Sequence, residues 1–177
     1  MPMEQMATPK DMEPQTEPAE IAPRLRSNAN SEALLHVVSF RVGNEAFGVE
    51  ILRVKEIIGH QQPTRVPNSP DFVDGVINLR GQVIPVIALR KRFGLENSQR
   101  DTQARIVVLE VQSMVVGFIV DSVPEVLSVP ASAVAAPPRF GKVGREYVSG
   151  VAKLNDRLLI LLDPDRILSS SGNVAPP

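Results

Sequence analysis

Between residues 35 and 168, short apolar runs rich in Val, Ile and Leu recur every few residues and are separated by turn-formers. Leu35 to Val42 alternates moderately, Gly43-Asn44-Glu45 reads as a turn, and Ala46 to Ile51 and Val54 to Ile58 follow, the last ending at Gly59. β-Branched and aliphatic runs of this length fit strands buried on one or both faces. The densest stretch is Val73 to Leu89, V-D-G-V-I-N-L-R-G-Q-V-I-P-V-I-A-L. Its two runs, Gly75 to Leu79 and Gln82 to Leu89, flank Arg80-Gly81, and Gly81 can supply the positive φ of a tight reversal. The pattern predicts a β-hairpin with Arg80 at its tip. Pro85 has no N–H to give a ladder, so its strand is expected at a sheet edge or at a bulge. The segment Gln61 to Asp74 holds Pro63, Pro67 and Pro70 and reads as a connection. Within it Ser69-Pro70-Asp71 is expected to open one helical turn. Arg90 to Phe93 is expected as a short basic helix stopped by Gly94.

The second half repeats the first. Shifted by 69 positions, Phe40-x-Val42 falls on Leu109-x-Val111, Phe47-Gly48-Val49 on Val116-Gly117-Phe118, and Val54-x-Glu56-Ile57-Ile58 on Val123-x-Glu125-Val126-Leu127. Shifted by 75, Val73-x-Gly75-Val76 falls on Val148-x-Gly150-Val151, and Val83 to Ile87 on Leu158 to Leu162. The offset changes inside the Pro-rich connection, where insertions cost little. Two units, about residues 35–94 and 104–168, each with some five short strands, predict an all-β chain of two small barrels or a fused pair. A unit of this size is marginal alone, so the two are expected to share an apolar face.

Composition sharpens this picture at the ends of the chain. Residues 1–34 carry Pro2, Pro9, Pro14, Pro18 and Pro23 among many polar residues, and are expected to be a disordered tail. Residues 169–177 are expected to be a short flexible tail. The N-terminus lacks the basic-then-apolar order of a secretory signal. No apolar run reaches the roughly 18–20 residues of a membrane span, so direct membrane insertion is not expected. The formal charge of −1 divides into six acids and three bases over residues 1–34, and 14 acids and 16 bases over the rest. Neither part is charged enough to suggest a nucleic-acid or membrane surface.

Candidate chemistry is sparse. With no cysteine and two isolated histidines, His36 and His60, neither a metal site nor any other cofactor is expected. No nucleophile, phosphate-loop or metalloprotease motif occurs, so the chain is not read as an enzyme. Asp156, Asp163 and Asp165 read as turn and cap acids. Arg90-Lys91-Arg92 reads as the solvated face of a short helix; it also gives some footing to an alternative function, a small β-barrel that binds nucleic acid. The repeat gives a better clue where it fails. Glu56 matches Glu125, but Arg80 matches Asn155, an ordinary turn-former. An exposed Arg80–Glu56 pair would contribute about 0–1 kcal/mol, too little to account for an arginine there, whereas arginine is a frequent anchor at interfaces. A solvated turn arginine is the competing interpretation.

The stretch Gly75-x-x-Asn78-Leu79-Arg80-Gly81-x-x-x-Pro85-Val86 resembles the signature of the CheW family, the coupling proteins of bacterial chemotaxis. Phe47-Gly48-Val49, Val54-x-Glu56-Ile57, Val116-Gly117-Phe118, Asp121-x-Val123, Gly150 and Leu158 to Leu162 are similar to that family in order, over about residues 35 to 168. The resemblance implies two pseudo-symmetric five-stranded SH3-like barrels sharing an apolar core, with short helical turns. It implies a cytoplasmic, non-catalytic adaptor at membrane-associated receptor arrays. Its expected partners are the regulatory domain of a CheA-type histidine kinase and the cytoplasmic tip of methyl-accepting chemoreceptors. It also implies partner-binding positions: Arg80 and Glu56, with neighbouring Val54 and Gly75, and in the second half Gly117, Val123 and Val126. The long Pro-rich N-terminal tail departs from the family pattern and leaves the pathway open between flagellar chemotaxis and a related system.

Overall fold

Strands account for most of the computed structural model, which describes residues 32–96, 102–138 and 145–169. The first half supplies β1 (Leu34–Val42), β2 (Glu45–Glu50), β3 (Val54–Gly59), β4 (Val73–Leu79), β5 (Gln82–Ala88) and the helix α1 (Leu89–Arg92). The second supplies β6 (Arg105–Val111), β7 (Met114–Val120), β8 (Ser122–Pro130), β9 (Val134–Ala135), β10 (Val148–Leu154), β11 (Arg157–Leu162) and α2 (Pro164–Ser169). The tail expected over 1–34 lies outside the described residues as far as Ser31, and Leu34 already belongs to β1. Of the tail expected over 169–177, all but Ser169 lies outside them, and Ser169 closes α2.

Two SH3-like sheets form, but not one from each repeat. One runs β8-β1-β2-β11-β10-β9 and the other β3-β6-β7-β5-β4. The six-stranded barrel therefore takes β1 and β2 from the first half, while the five-stranded barrel takes β6 and β7 from the second. The sixth strand of the six-stranded barrel, β9, is only two residues long. Parallel pairings, β2 with β11 and β5 with β7, join the exchanged strands to their hosts. The chain passes from one sheet to the other at Ile51–Arg53, a single 3-10 turn, and returns at Asp121.

Strand alternation explains three apolar cores. Successive side chains point to opposite faces, so Ile106 and Val108 of β6 face the interior of the five-stranded barrel with Ile84 and Val86. Their neighbours Val107 and Leu109 face the other way, into a central cluster with Val38, Phe40, Val42, Phe47 and Phe118. Val37 of β1 points into the six-stranded barrel with Leu159, Leu161 and Val129. Both faces of the inner strands are covered, which is why they read as continuous hydrophobic runs.

Two local expectations fail, each for a nonlocal reason. Pro85 sits neither at an edge nor at a bulge: β5 lies between β4 and β7, and the register shift of its ladder with β4 falls opposite Val86 and Ile87, just beyond the proline. Val76, opposite Pro85, donates its N–H to Thr64 O (2.9 Å) and accepts from Thr64 N–H (2.8 Å), so β4 asks nothing of the proline nitrogen. On the other flank the ladder to β7 starts only at Val86. The helical turn expected at Ser69 is also absent; Ser69 Oγ donates to Val66 O, and Pro70 O accepts from Val73 N–H in a simple turn. Phe72 O accepts from Ala88 N–H (2.9 Å), which draws the chain straight into the sheet.

Candidate functional site

The β4–β5 hairpin turns through Arg80 (φ 52°) and Gly81 (φ 88°), both left-handed, as a two-residue reversal matched to strand twist requires. Asn78 Oδ1 accepts from Gly81 N–H (2.8 Å) and closes the turn. The tip faces β3, an edge strand, whose register shifts between Val54 and Glu56. Arg80 reaches Glu56 with both arms of its fork: Nη1 donates to Oε1 at 3.1 Å and Nη2 to Oε2 at 2.9 Å. The arginine side chain is 78% exposed and the glutamate 25%, so a half-buried carboxylate holds a guanidinium out toward solvent. Such a pair presents a fixed planar cation with its outer edge open, ready for a partner carboxylate or carbonyl.

The second barrel carries a looser version. Asn155 occupies the matching turn with φ 51°, and Glu125, the match of Glu56, meets Arg157 at 3.8 Å. Arg157 was not singled out in the sequence. The signal that could have found it is Glu125 itself, an acid repeated on a strand face with no base assigned to it.

The other predicted positions fall in different places. Gly75 is buried with φ 145°, and a Cβ there would lie 2.3 Å from Thr64 O. It lets the Thr64 segment close against β4 through the Thr64–Val76 bridge. Gly117 is buried on β7, where a Cβ would lie 2.7 Å from Ile106 Cγ2. Val54 and Val123 are half-buried and pack on the central core. Val126 is 54% exposed on β8, an edge of the six-stranded sheet. Arg80 and Glu56 thus form a paired surface site, Val126 adds an exposed apolar position on the other barrel, and the two glycines act through packing.

The basic run differs from its expected solvated face. Arg90 Nε and Nη2 both donate to the Asp121 carboxylate (2.7–3.1 Å), and Nη1 donates to Glu96 O. The hydrogen bond to Asp121 raises the Arg90 pKa above its ordinary value, against a smaller opposing effect of burial. Lys91 Nζ donates to Asp74 Oδ1 at 2.8 Å. The Arg92 guanidinium lies 4.1 Å from the Phe72 ring centre and 4.9 Å from that of Tyr147. Burial of Tyr147 raises its phenol pKa, an effect its hydrogen bond to Glu146 reinforces. All three cations are spent inside the fold, which removes the footing of a nucleic-acid surface. The acids behave as caps and pairs: Asp163 Oδ1 accepts from Asp165 N–H at the start of α2, and Asp165 pairs with Arg53. Among the described residues, no helix is long and apolar enough to cross a membrane.

Comparison with known proteins places this geometry. The chemotaxis protein CheW of Klebsiella aerogenes is 42% identical over 132 residues, covering 74% of this chain and 80% of the relative. The CheW of Treponema pallidum is 33% identical over 147 residues, covering 80% and 86%. The crystal structure of the scaffolding protein TtCheW from Thermoanaerobacter tengcongensis superposes with a TM-score of 0.74 at 32% identity, covering 79% of this chain and 96% of that one. The sequence model of the CheW-like domain matches residues 36–172, so this double-barrelled chain belongs to the CheW-like family.

Proposed function

We propose that the chain couples the cytoplasmic tips of methyl-accepting chemoreceptors to the regulatory domain of a CheA-type histidine kinase, and that the Arg80–Glu56 pair is one of its contacts. Family membership makes it a non-catalytic adaptor of chemotaxis signalling. Its place of action in this proposal is the cytoplasm, at membrane-associated receptor arrays. The observation that carries the site is the exposure of Arg80 in a left-handed turn conformation, gripped by Glu56, where the matching turn uses Asn155. An exposed pair of this kind adds only about 0–1 kcal/mol to stability. Interface arginines in such settings are among the residues whose truncation costs most in binding.

The test is capture of the kinase regulatory domain, and separately of a receptor-tip fragment, by the full chain and by its Arg80→Ala variant. The variant is expected to melt within a few degrees of the parent while losing one or both captures. Undiminished capture of both would remove Arg80 from the site.

A further inference from the structure

The six-stranded barrel has an opening of its own, at the end where the chain leaves β2 for the other sheet. There the structure holds a solvent-open cavity of about 200 Å³. Its apolar lining includes half-buried Leu35 and the nearly buried Leu161. Its rim is charged: Glu50, Asp163 and Asp165 stand against a single cation, Arg53.

The charges do not cancel. Arg53 is matched by Asp165, and Asp163 caps α2 and pairs with Arg166, which is not part of the lining. Glu50 is exposed and makes no ion pair with the described residues. The mouth therefore leaves one carboxylate, Glu50, without a counter-charge beside two paired ones, above a lining that includes apolar side chains. An anionic occupant is repelled, and a neutral apolar one leaves Glu50 without a counter-charge. A flexible apolar stem ending in a cation satisfies both layers at once. The volume lies below the roughly 300–1,000 Å³ of pockets for drug-sized ligands and suits one long side chain.

We propose that this cavity receives a single basic side chain, arginine or lysine, from the surface of a partner protein. The stem lies along Leu35 and Leu161 and the cationic head meets Glu50 and Asp163. Nothing in this depends on Arg80, which belongs to the other barrel, so the two proposals stand or fall separately.

The experiment titrates the full chain, with its Val and Leu methyl groups labelled, against three small probes: N-acetyl-arginine methylamide, the lysine equivalent, and the neutral citrulline equivalent. At least one basic probe is expected to shift the methyl resonances of Leu35 and Leu161 in a saturable way. The stronger of the two identifies the favoured residue. The citrulline probe is expected to bind about fivefold more weakly, and Glu50→Gln to weaken the basic probes by a similar factor, while leaving citrulline unchanged. Glu50 is exposed, so an unaltered amide spectrum of Glu50→Gln confirms that its fold is intact. Absence of saturable shifts from both basic probes, equal binding of citrulline, or indifference to Glu50→Gln would each overturn the proposal.

Discussion

A left-handed backbone brings the Cβ of an ordinary residue too close to the next carbonyl oxygen, at a cost of roughly 1–2 kcal/mol that asparagine largely escapes. Arg80 and Asn155 occupy matching turns with φ of 52° and 51°, so the arginine bears a cost its counterpart avoids. Replacing Arg80 by asparagine relieves that strain and loses an exposed ion pair of similar size. Arg80→Asn is therefore expected to change unfolding free energy by less than about 1 kcal/mol in urea titrations, while still losing partner capture. A loss above about 2 kcal/mol would show that the pair is structural. Gly75→Ala should behave in the opposite way. Its φ of 145° and the 2.3 Å approach to Thr64 O leave no room for a methyl group. A cost of about 1–3 kcal/mol is expected, with the thermal melt lowered and binding impaired only as far as folding is. A melt unchanged from the parent would mean that the Thr64 segment yields freely. Arg80 could be singled out from sequence because the repeat supplies its own control residue. The packing role of Gly75 could not, because Thr64 approaches it from outside the hairpin.

Elements that close on themselves were legible: the hairpin around Arg80-Gly81, and α1 with Gly94 ending it. Each is specified by residues a few positions apart. Pro85 misled because edge or interior depends on which strand arrives from the second half, and β7 carries no local mark of its host. The run Arg90 to Arg92 misled similarly, since Asp121, Asp74 and Tyr147 lie far along the chain. A four-residue helix cannot hold itself in water, so α1 depends on these side chains. Asp121 bears the most: it accepts from Gly43 N–H at 2.7 Å as well as from Arg90, and its own N–H donates to Arg41 O. Asp121→Ala is expected to cost about 2 kcal/mol, in the range for hydrogen bonds to charged groups. In a double-mutant cycle with Arg90→Ala the two costs should fall short of adding, since both remove the same contact. Strict additivity would show that the pair does not couple.

At the scale of the molecule, the exchange of strands between repeats makes one folding unit of two barrels. The two crossings are both pinned by arginine–aspartate pairs of opposite polarity: Arg53 on the outgoing segment to Asp165 of α2, and Asp121 on the returning one to Arg90 of α1. Between them lies the central cluster, to which β1 and β2 of one sheet and β6 and β7 of the other all contribute. The internal repeat in sequence announced two barrels but not this exchange, because similarity between halves says nothing about which strands pair. The exchange has a thermodynamic consequence. Were each repeat a barrel of its own, damage inside one would leave the other folded; with a shared core and exchanged strands, neither barrel has a stable state without its neighbour. Leu159 is 3% exposed inside the six-stranded barrel, away from the five-stranded one. Leu159→Ala is expected to cost about 2–5 kcal/mol. Hydrogen exchange should record that loss equally for globally protected amides in both sheets, including those of β6. If the amides of β6 kept the parent's protection while those of β1 and β11 lost theirs, the barrels would be separate units, and the central cluster a contact between them rather than a common core.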